Sequence, residues 1–251
     1  MAHRFWGERK FSDVLIHPDK LNEPLKLRKP AKIFVNSMSD LFHPDVPDEF
    51  IHDVFSHMLG FGNNRHTFMI LTKRQKRMLA LLGSDPFFKF WLAAGTANDF
   101  DISHVWLGVS VEDQKTADER IPILLQTPAA HRFISVEPML GPVELSQNWC
   151  DYLDGWETCV EQDHNGDPEP YQSQTEKLDW VICGGETGPG ARPMQREWVI
   201  DLRDQCIEAK VPFFFKKWGK AQLSFFPREI GKKMDGYING VEWRQLPEGL
   251  A

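Results

Sequence analysis

Three observations predict an α/β fold, a partial TIM-like (β/α) barrel of parallel strands. Six short, nearly continuous apolar runs recur along the 251 residues. Amphipathic helical patterns lie between several of them, and polar or charged residues follow nearly every run. Continuous apolar runs rich in β-branched and aromatic residues mark strands covered on both faces. Strand–helix alternation marks parallel strands joined by right-handed crossovers. An open doubly wound sheet would gather its functional groups at the crevice where strand order reverses. A barrel gathers them at the C-terminal end of each strand, and that pattern fits this chain better.

The runs, in order, are Lys32–Asn36, Thr67–Leu71, Val105–Val109, Arg132–Val136, Trp180–Cys183 and Pro212–Phe215. Ile51, Val54, Phe55 and Met58 share one helix face, entered through Pro47, Asp48 and Glu49, which suit a first turn. Met78, Leu79 and Leu82 repeat the spacing, with Gly83 as a stop signal. Ala117, Arg120, Ile121, Leu124 and Leu125 form a third helix before Pro128, and Trp198, Val199, Leu202 and Cys206 a fourth. Residues 1–251 read as one domain with two departures from this rhythm. An acidic stretch at about 141–178 reads as a surface excursion, turning at His164–Pro168. A tail at about 219–251 carries the turn signals Gly231, Asp235-Gly236 and Asn239-Gly240, which suit a capping hairpin.

Hydrophobic content of 41% and charged content of 26% are those of an ordinary globular protein. A net charge of -7 gives no general reason to bind nucleic acid or an anionic membrane, although a local basic cleft stays open. No apolar run is long enough to cross a bilayer, and the first six residues lack the layout of a secretory signal, so a cytoplasmic location is expected.

Five constellations could carry chemistry. Asn36, Ser37, Ser39, Asp40 and His43 crowd the end of the first run, where they could hold a substrate, with Asp40 or His43 as acid or base, or cap turns. Lys73 and Arg74 could hold a phosphate or carboxylate, and cations there are a mild misfit with a following helix N-terminus. Glu112, Asp113 and Glu137 could orient a substrate or bind a divalent cation, or pair with Arg120 or Arg132. Gly184, Gly185, Glu186 and Arg192 belong to a glycine-rich segment whose backbone could approach a ligand closely; its spacing is neither a P-loop nor a Rossmann fingerprint. Lys216, Lys217 and Trp218 end the last run and could grip an anionic or aromatic ligand. No metal site is expected within the chain. Cys150, Cys159 and His164 fit no common zinc spacing, and Cys183 and Cys206 read as small core residues.

The runs IFVNSMSDLFHPDVPDEFI, LTKR, VWLGVSVEDQKTADERIPILLQTPA, RFISVEPMLGPVEL, LDWVICGGETGPGARPM and VPFFFKKWG together resemble a phage and prophage family of unknown function, the Gp thirty-seven/Gp sixty-eight family. The resemblance runs from about His3 to the tail and fails only in the acidic insertion. It implies a radical-SAM-like barrel, with S-adenosylmethionine and a [4Fe–4S] cluster held by three clustered cysteines in the full-length family. The family loop ends in Cys-Tyr-Ala-Glu shortly before a segment like Ala2–Gly7, so the triad is expected to be missing from this chain. Gly184-Gly185-Glu186 is similar to the motif with which radical enzymes hold the methionine amino group, but it follows a late strand, and the role is not transferred. The implied activity is radical modification of a small-molecule, nucleotide or nucleic-acid substrate. Two alternatives stand beside it: a ligand-binding or accessory barrel without a cluster, and a metal-dependent hydrolase using Asp40, Glu112 and Glu137.

Overall fold

The structure, a computed structural model, describes residues 13–60, 65–89, 102–147, 150–162, 168–223 and 235–247. Ala2–Gly7, His164 and Gly231, singled out above, lie outside the described residues. In chain order the strands are β1 (Lys32–Val35), β2 (Thr67–Thr72), β3 (Val105–Ser110), β4 (His131–Val136), β5 (Ser146–Gln147), β6 (Cys150–Asp151), β7 (Trp156–Gln162), β8 (Pro168–Gln174), β9 (Trp180–Gly184), β10 (Phe213–Lys217), β11 (Tyr237–Ile238) and β12 (Val241–Glu242). The helices used below are α1 (Asp48–Leu59), α2 (Gln75–Ser84), α3 (Gln114–Gln126), α4 (Arg196–Glu208) and α5 (Lys220–Leu223).

The main sheet has the order β1-β2-β3-β4-β9-β10, and every pair is parallel. Strand order never reverses. With right-handed crossovers, all connections then lie on the same face, and the sheet curls into a half-barrel with helices outside. All six predicted strands are present. The helix expected to stop at Gly83 continues to Ser84, because a glycine near a helix end weakens the helix without forcing termination.

Alternation along the strands separates two cores. Phe68, Ile70, Leu107, Val109, Ile134, Val136, Val181 and Phe213 face the convex side and pack against the helices through Ile51, Met78, Ile121 and Leu202. Trp106, Phe133 and Trp180 face the concave side with Met69, Leu71, Ile182 and Phe214. Gly108 is required there: it pairs with Phe133 across the strands, and a Cβ on it would lie 2.6 Å from the ring.

The acidic stretch differs from a plain surface excursion. It forms a second, antiparallel sheet in the order β5-β6-β7-β8, in the crossover between β4 and β9. Its root is core: Leu145, Cys150, Tyr152, Leu153 and Leu178 are buried, and the Gln205 side chain of α4 accepts from the Leu145 amide at 2.6 Å. The β7–β8 ribbon, by contrast, is exposed along most of its length. The tail hairpin is present as β11–β12. Asn239 and Gly240 supply the left-handed geometry of its turn, with φ of 52° and 80°. The segment after it adds to the β10 edge, where the Phe215 amide donates to the Trp243 carbonyl at 2.6 Å. Among the described residues no helix is long and apolar enough to cross a membrane.

Candidate functional site

Parallel strands that all point one way bring their C-terminal ends to one rim. The period of two along a strand then decides which residues face inward. Ser110 and Ser135 stand opposite each other on β3 and β4, two residues above the Gly108–Phe133 layer, so they continue its concave parity. Around them the rim carries charged side chains from the ends of all six strands or the loops that follow.

Asp40 ties the first two strand ends together. Its Oδ1 accepts from the Phe42 amide at 3.0 Å and the Thr72 hydroxyl at 2.8 Å. Its Oδ2 accepts from the Lys73 amide at 3.1 Å and from Arg74 Nη1 at 2.8 Å. Four donors on one carboxylate make an anchor, and they leave little capacity for the proton transfer the sequence suggested for it. Asn36 opens the same loop in the left-handed region at φ 55°, with its carbonyl accepting from the Ser39 amide at 3.0 Å. Ser37 and Ser39 are exposed on it.

Glu112 lies between two cations, Lys73 on one oxygen and Arg120 on the other at 2.9 Å. Arg120 also donates to the Ser110 carbonyl at 2.7 Å, which fixes its guanidinium below the rim. Asp113 acts locally. It caps α3 in a capping box with Thr116, whose amide holds its carboxyl below the ordinary carboxylate range. Glu137 meets Lys216 at 2.9 Å and Lys217 at 3.5 Å. Gly184 makes room for it, since a Cβ there would lie 3.3 Å from the Glu137 carboxyl carbon.

Glu186 and Arg192 close the glycine-rich loop on itself. Arg192 donates through Nε at 2.9 Å, Nη2 at 3.0 Å and its own amide at 2.8 Å. These hydrogen bonds push the Glu186 carboxyl down to about 2. A carboxyl depressed in the folded state favours the closed loop above the ordinary Glu value of about 4.3, and that preference is lost as pH falls through about 2. An NMR pH titration should find the Glu186 midpoint near 2, and Arg192→Ala should return it to about 4.3; an unshifted midpoint in the unmodified protein would show that the clasp is absent in solution.

Trp218 requires a correction. It is 4% exposed, packs its ring 4.7 Å from that of Phe215, and donates its indole N–H to the Tyr237 carbonyl at 3.0 Å. It therefore belongs to the core and presents no face to a ligand. Arg120 is the partner that the sequence offered for Glu112, whereas Arg132, offered beside it, pairs with Glu176 instead.

A cleft of about 980 Å³ runs along β1 to the β1–β2 end of the rim, lined at the rim by Asn36, Ser37, Ser39, Asp40, Lys73, Arg74 and Ser110, and elsewhere by the charged residues Asp13, Lys20 and Glu23 and by apolar side chains of β1 and α1. Glu137, Gly184, Gly185, Glu186, Arg192 and Lys216 stand further along the rim and do not line it. Ser110 and Thr72 are among the lining residues that the sequence did not single out, together with the apolar Leu15, Ile16, Leu27, Phe34 and Met38. For Ser110 a signal was present: a hydroxyl at the last inward position of an otherwise apolar strand.

The residues do not fit an iron–sulfur cluster. The four cysteines occupy β6, β7, β9 and α4; burial raises the Cys150 thiol and holds those of Cys183 and Cys206 well above their ordinary range, against the thiolate a cluster needs. Among the described residues no group of three or more His, Cys, Asp or Glu side chains could hold a metal ion. Glu186, engaged with Arg192, is not free to receive an amino group.

A family model with the description "Protein of unknown function (DUF5131)" matches residues 1–247. No curated protein matches the chain. Among solved structures, phospho-2-dehydro-3-deoxyheptonate aldolase from Francisella tularensis SCHU S4 shows 11% identity and a TM-score of 0.24 over 81% of this chain and 74% of that one, a likeness too weak to carry any argument.

Proposed function

Since the chain belongs to the DUF5131 family, whose function is unknown, we propose from the site itself that it binds an anionic small molecule, a phosphate- or carboxylate-bearing substrate or nucleotide, on the rim of the half-barrel. One observation carries this reading: the rim buries its carboxylates and projects its cations. Asp40, Glu112 and Glu137 are 14%, 13% and 21% exposed, whereas their partners Arg74, Lys73 and Lys216 are 36%, 51% and 51% exposed. Arg120, 15% exposed, and Lys217, 27% exposed, pair with Glu112 and Glu137 from positions about as covered as the carboxylates themselves. An approaching ligand therefore meets Lys73, Arg74 and Lys216 before their carboxylates, although the chain as a whole carries -7. Much of the negative charge is concentrated in one stretch of the sequence. Between Glu144 and Glu176 there are nine acidic residues and no Lys or Arg.

Lys73 is the residue expected to touch the anion, because it lines the cleft and its ammonium has donors to spare beyond Glu112. Arg74 is held by Asp40 and adds a fixed fork. Calorimetric titration with inorganic phosphate tests this. Lys73→Ala should weaken binding at least about tenfold, the worth of one charge-assisted hydrogen bond of roughly 1.5 kcal/mol. Because Lys73 is half exposed, the same change should cost less than about 1 kcal/mol of stability. Equal affinity in the two proteins, or no binding by either, would sink the assignment.

Radical S-adenosylmethionine chemistry in a phage setting is a second reading, and the parallel half-barrel is what favours it. The cysteines of this chain offer no ligand set for the cluster. Iron content and S-adenosylmethionine cleavage test it directly. A metal-dependent hydrolase using Asp40, Glu112 and Glu137 has less support, since each of those carboxylates is already engaged by cations.

A further inference from the structure

Exposed apolar side chains scattered singly over a surface need no explanation, but a concentration of them marks a binding face. Among the described residues ten large apolar side chains are exposed, and five of them, Leu15, Ile16, Leu27, Phe34 and Met38, line the cleft that also contains Lys73 and Arg74. Leu71, inward-facing on β2, continues the same wall towards the rim. Met38 is the extreme case at 71% exposed, two residues before the Asp40 anchor.

From this juxtaposition we propose that the cleft takes an anionic amphiphile, with a phosphate or carboxylate head at Lys73 and Arg74 and an aliphatic or aromatic body along the apolar wall. The inference rests on the anion-binding reading above and adds to it the class of molecule. Charge complementarity places the head at the rim end: there Lys73 and Arg74 are exposed while Asp40 is tucked beneath and occupied by four donors, whereas at the Leu15–Leu27 end the lining carries Asp13 and Glu23 beside Lys20. The volume of about 980 Å³ is at the upper end for small-ligand pockets, which leaves space beyond a bare anion. The wall has the adaptability that a Met- and Leu-rich surface gives. A purely polar ligand would leave that surface wet, whereas an apolar body removes it from water and gains affinity with each methylene buried.

Three probes separate the alternatives on the full chain: inorganic phosphate, octyl phosphate below its micellar concentration, and octyltrimethylammonium as a cationic amphiphile. Octyl phosphate should bind at least about 30-fold tighter than inorganic phosphate, a modest share of what eight buried carbons can supply. Met38→Asp should lower the ratio of the two affinities at least about tenfold, since it sets a charge against the apolar body at a position too exposed to disturb folding. Val160→Asp, comparably exposed but far along the β7–β8 ribbon, should leave the ratio unchanged. If phosphate binds and octyl phosphate binds no tighter, the amphiphile proposal fails and the anion reading stands. If octyltrimethylammonium binds as well as octyl phosphate, the cleft is merely apolar and the proposal fails. If none of the three binds, both fall together.

Discussion

Gly185→Ala should lower stability by about 3–4 kcal/mol, the upper range for overpacking against atoms that cannot yield. Gly185 follows β9 where the chain passes directly against the end of β10. A methyl group placed on it would lie 2.5 Å from the Trp218 carbonyl carbon and 2.8 Å from the Gly219 nitrogen. These are backbone atoms, and they are held from both sides. The Gly185 amide donates to the Lys217 carbonyl at 2.8 Å, and the Lys220 amide donates to the Glu186 carbonyl at 2.9 Å. Relief therefore requires the two strand ends to separate, which also draws Lys216 away from Glu137. Urea denaturation measures the loss. Gly83→Ala supplies a contrast of opposite sign: its nearest neighbour would be Leu79 Cδ1 at 3.6 Å, and alanine in a helix should add up to about 1 kcal/mol. If Gly185→Ala is as stable as the parent protein, the close approach of β9 to β10 described above is wrong.

Asp40→Ala should cost about 3 kcal/mol and weaken phosphate binding together with it. The carboxylate takes four hydrogen bonds, and its removal leaves Arg74 and the Thr72 hydroxyl without their shared partner in a largely enclosed position. Asp40→Asn should fall between, because the amide oxygen keeps two donors while the NH2 group faces two others. Thermal or urea unfolding, read beside calorimetry, separates anchor from acid–base group. A variant that keeps full stability and affinity yet loses turnover of a substrate would restore Asp40 to the acid–base role that its position in the sequence first suggested.

The strands and the rim on which the charged residues gather were legible because both are local properties. A short apolar run between turn residues becomes a buried strand in almost any α/β context, and the residue after it lands at the rim whatever the neighbours are. Lys73, Arg74, Glu112 and Glu137 were identifiable for that reason. The tail hairpin was legible too, since Asn239-Gly240 supplies its left-handed turn from two adjacent residues. The small sheet between β4 and β9 was not. Periodicity reports burial rather than strand formation, and β7 and β8, uncovered along most of their length, mix polar residues with exposed Val160 and Tyr171 and show no buried face. Its apolar root, from Leu145 to Leu153, is too short and interrupted to show a period.

Residues within a few positions of one another dictate the strand–helix rhythm, the parallel sheet that follows from it, and the set of charged residues at the strand ends. What those charges do was settled by contacts between segments distant along the chain. Trp218 became core because a carbonyl nineteen residues on accepts its N–H, and Asp40 became an anchor because β2 lies beside β1 and brings Thr72, Lys73 and Arg74 to it. Lys73, Arg74 and Lys216 stand more exposed than Glu112, Asp40 and Glu137 because strands distant in sequence bring each pair together. Electrostatic and packing energies depend on distance in space, and in a sheet that distance is set by which strands are neighbours rather than by separation along the chain.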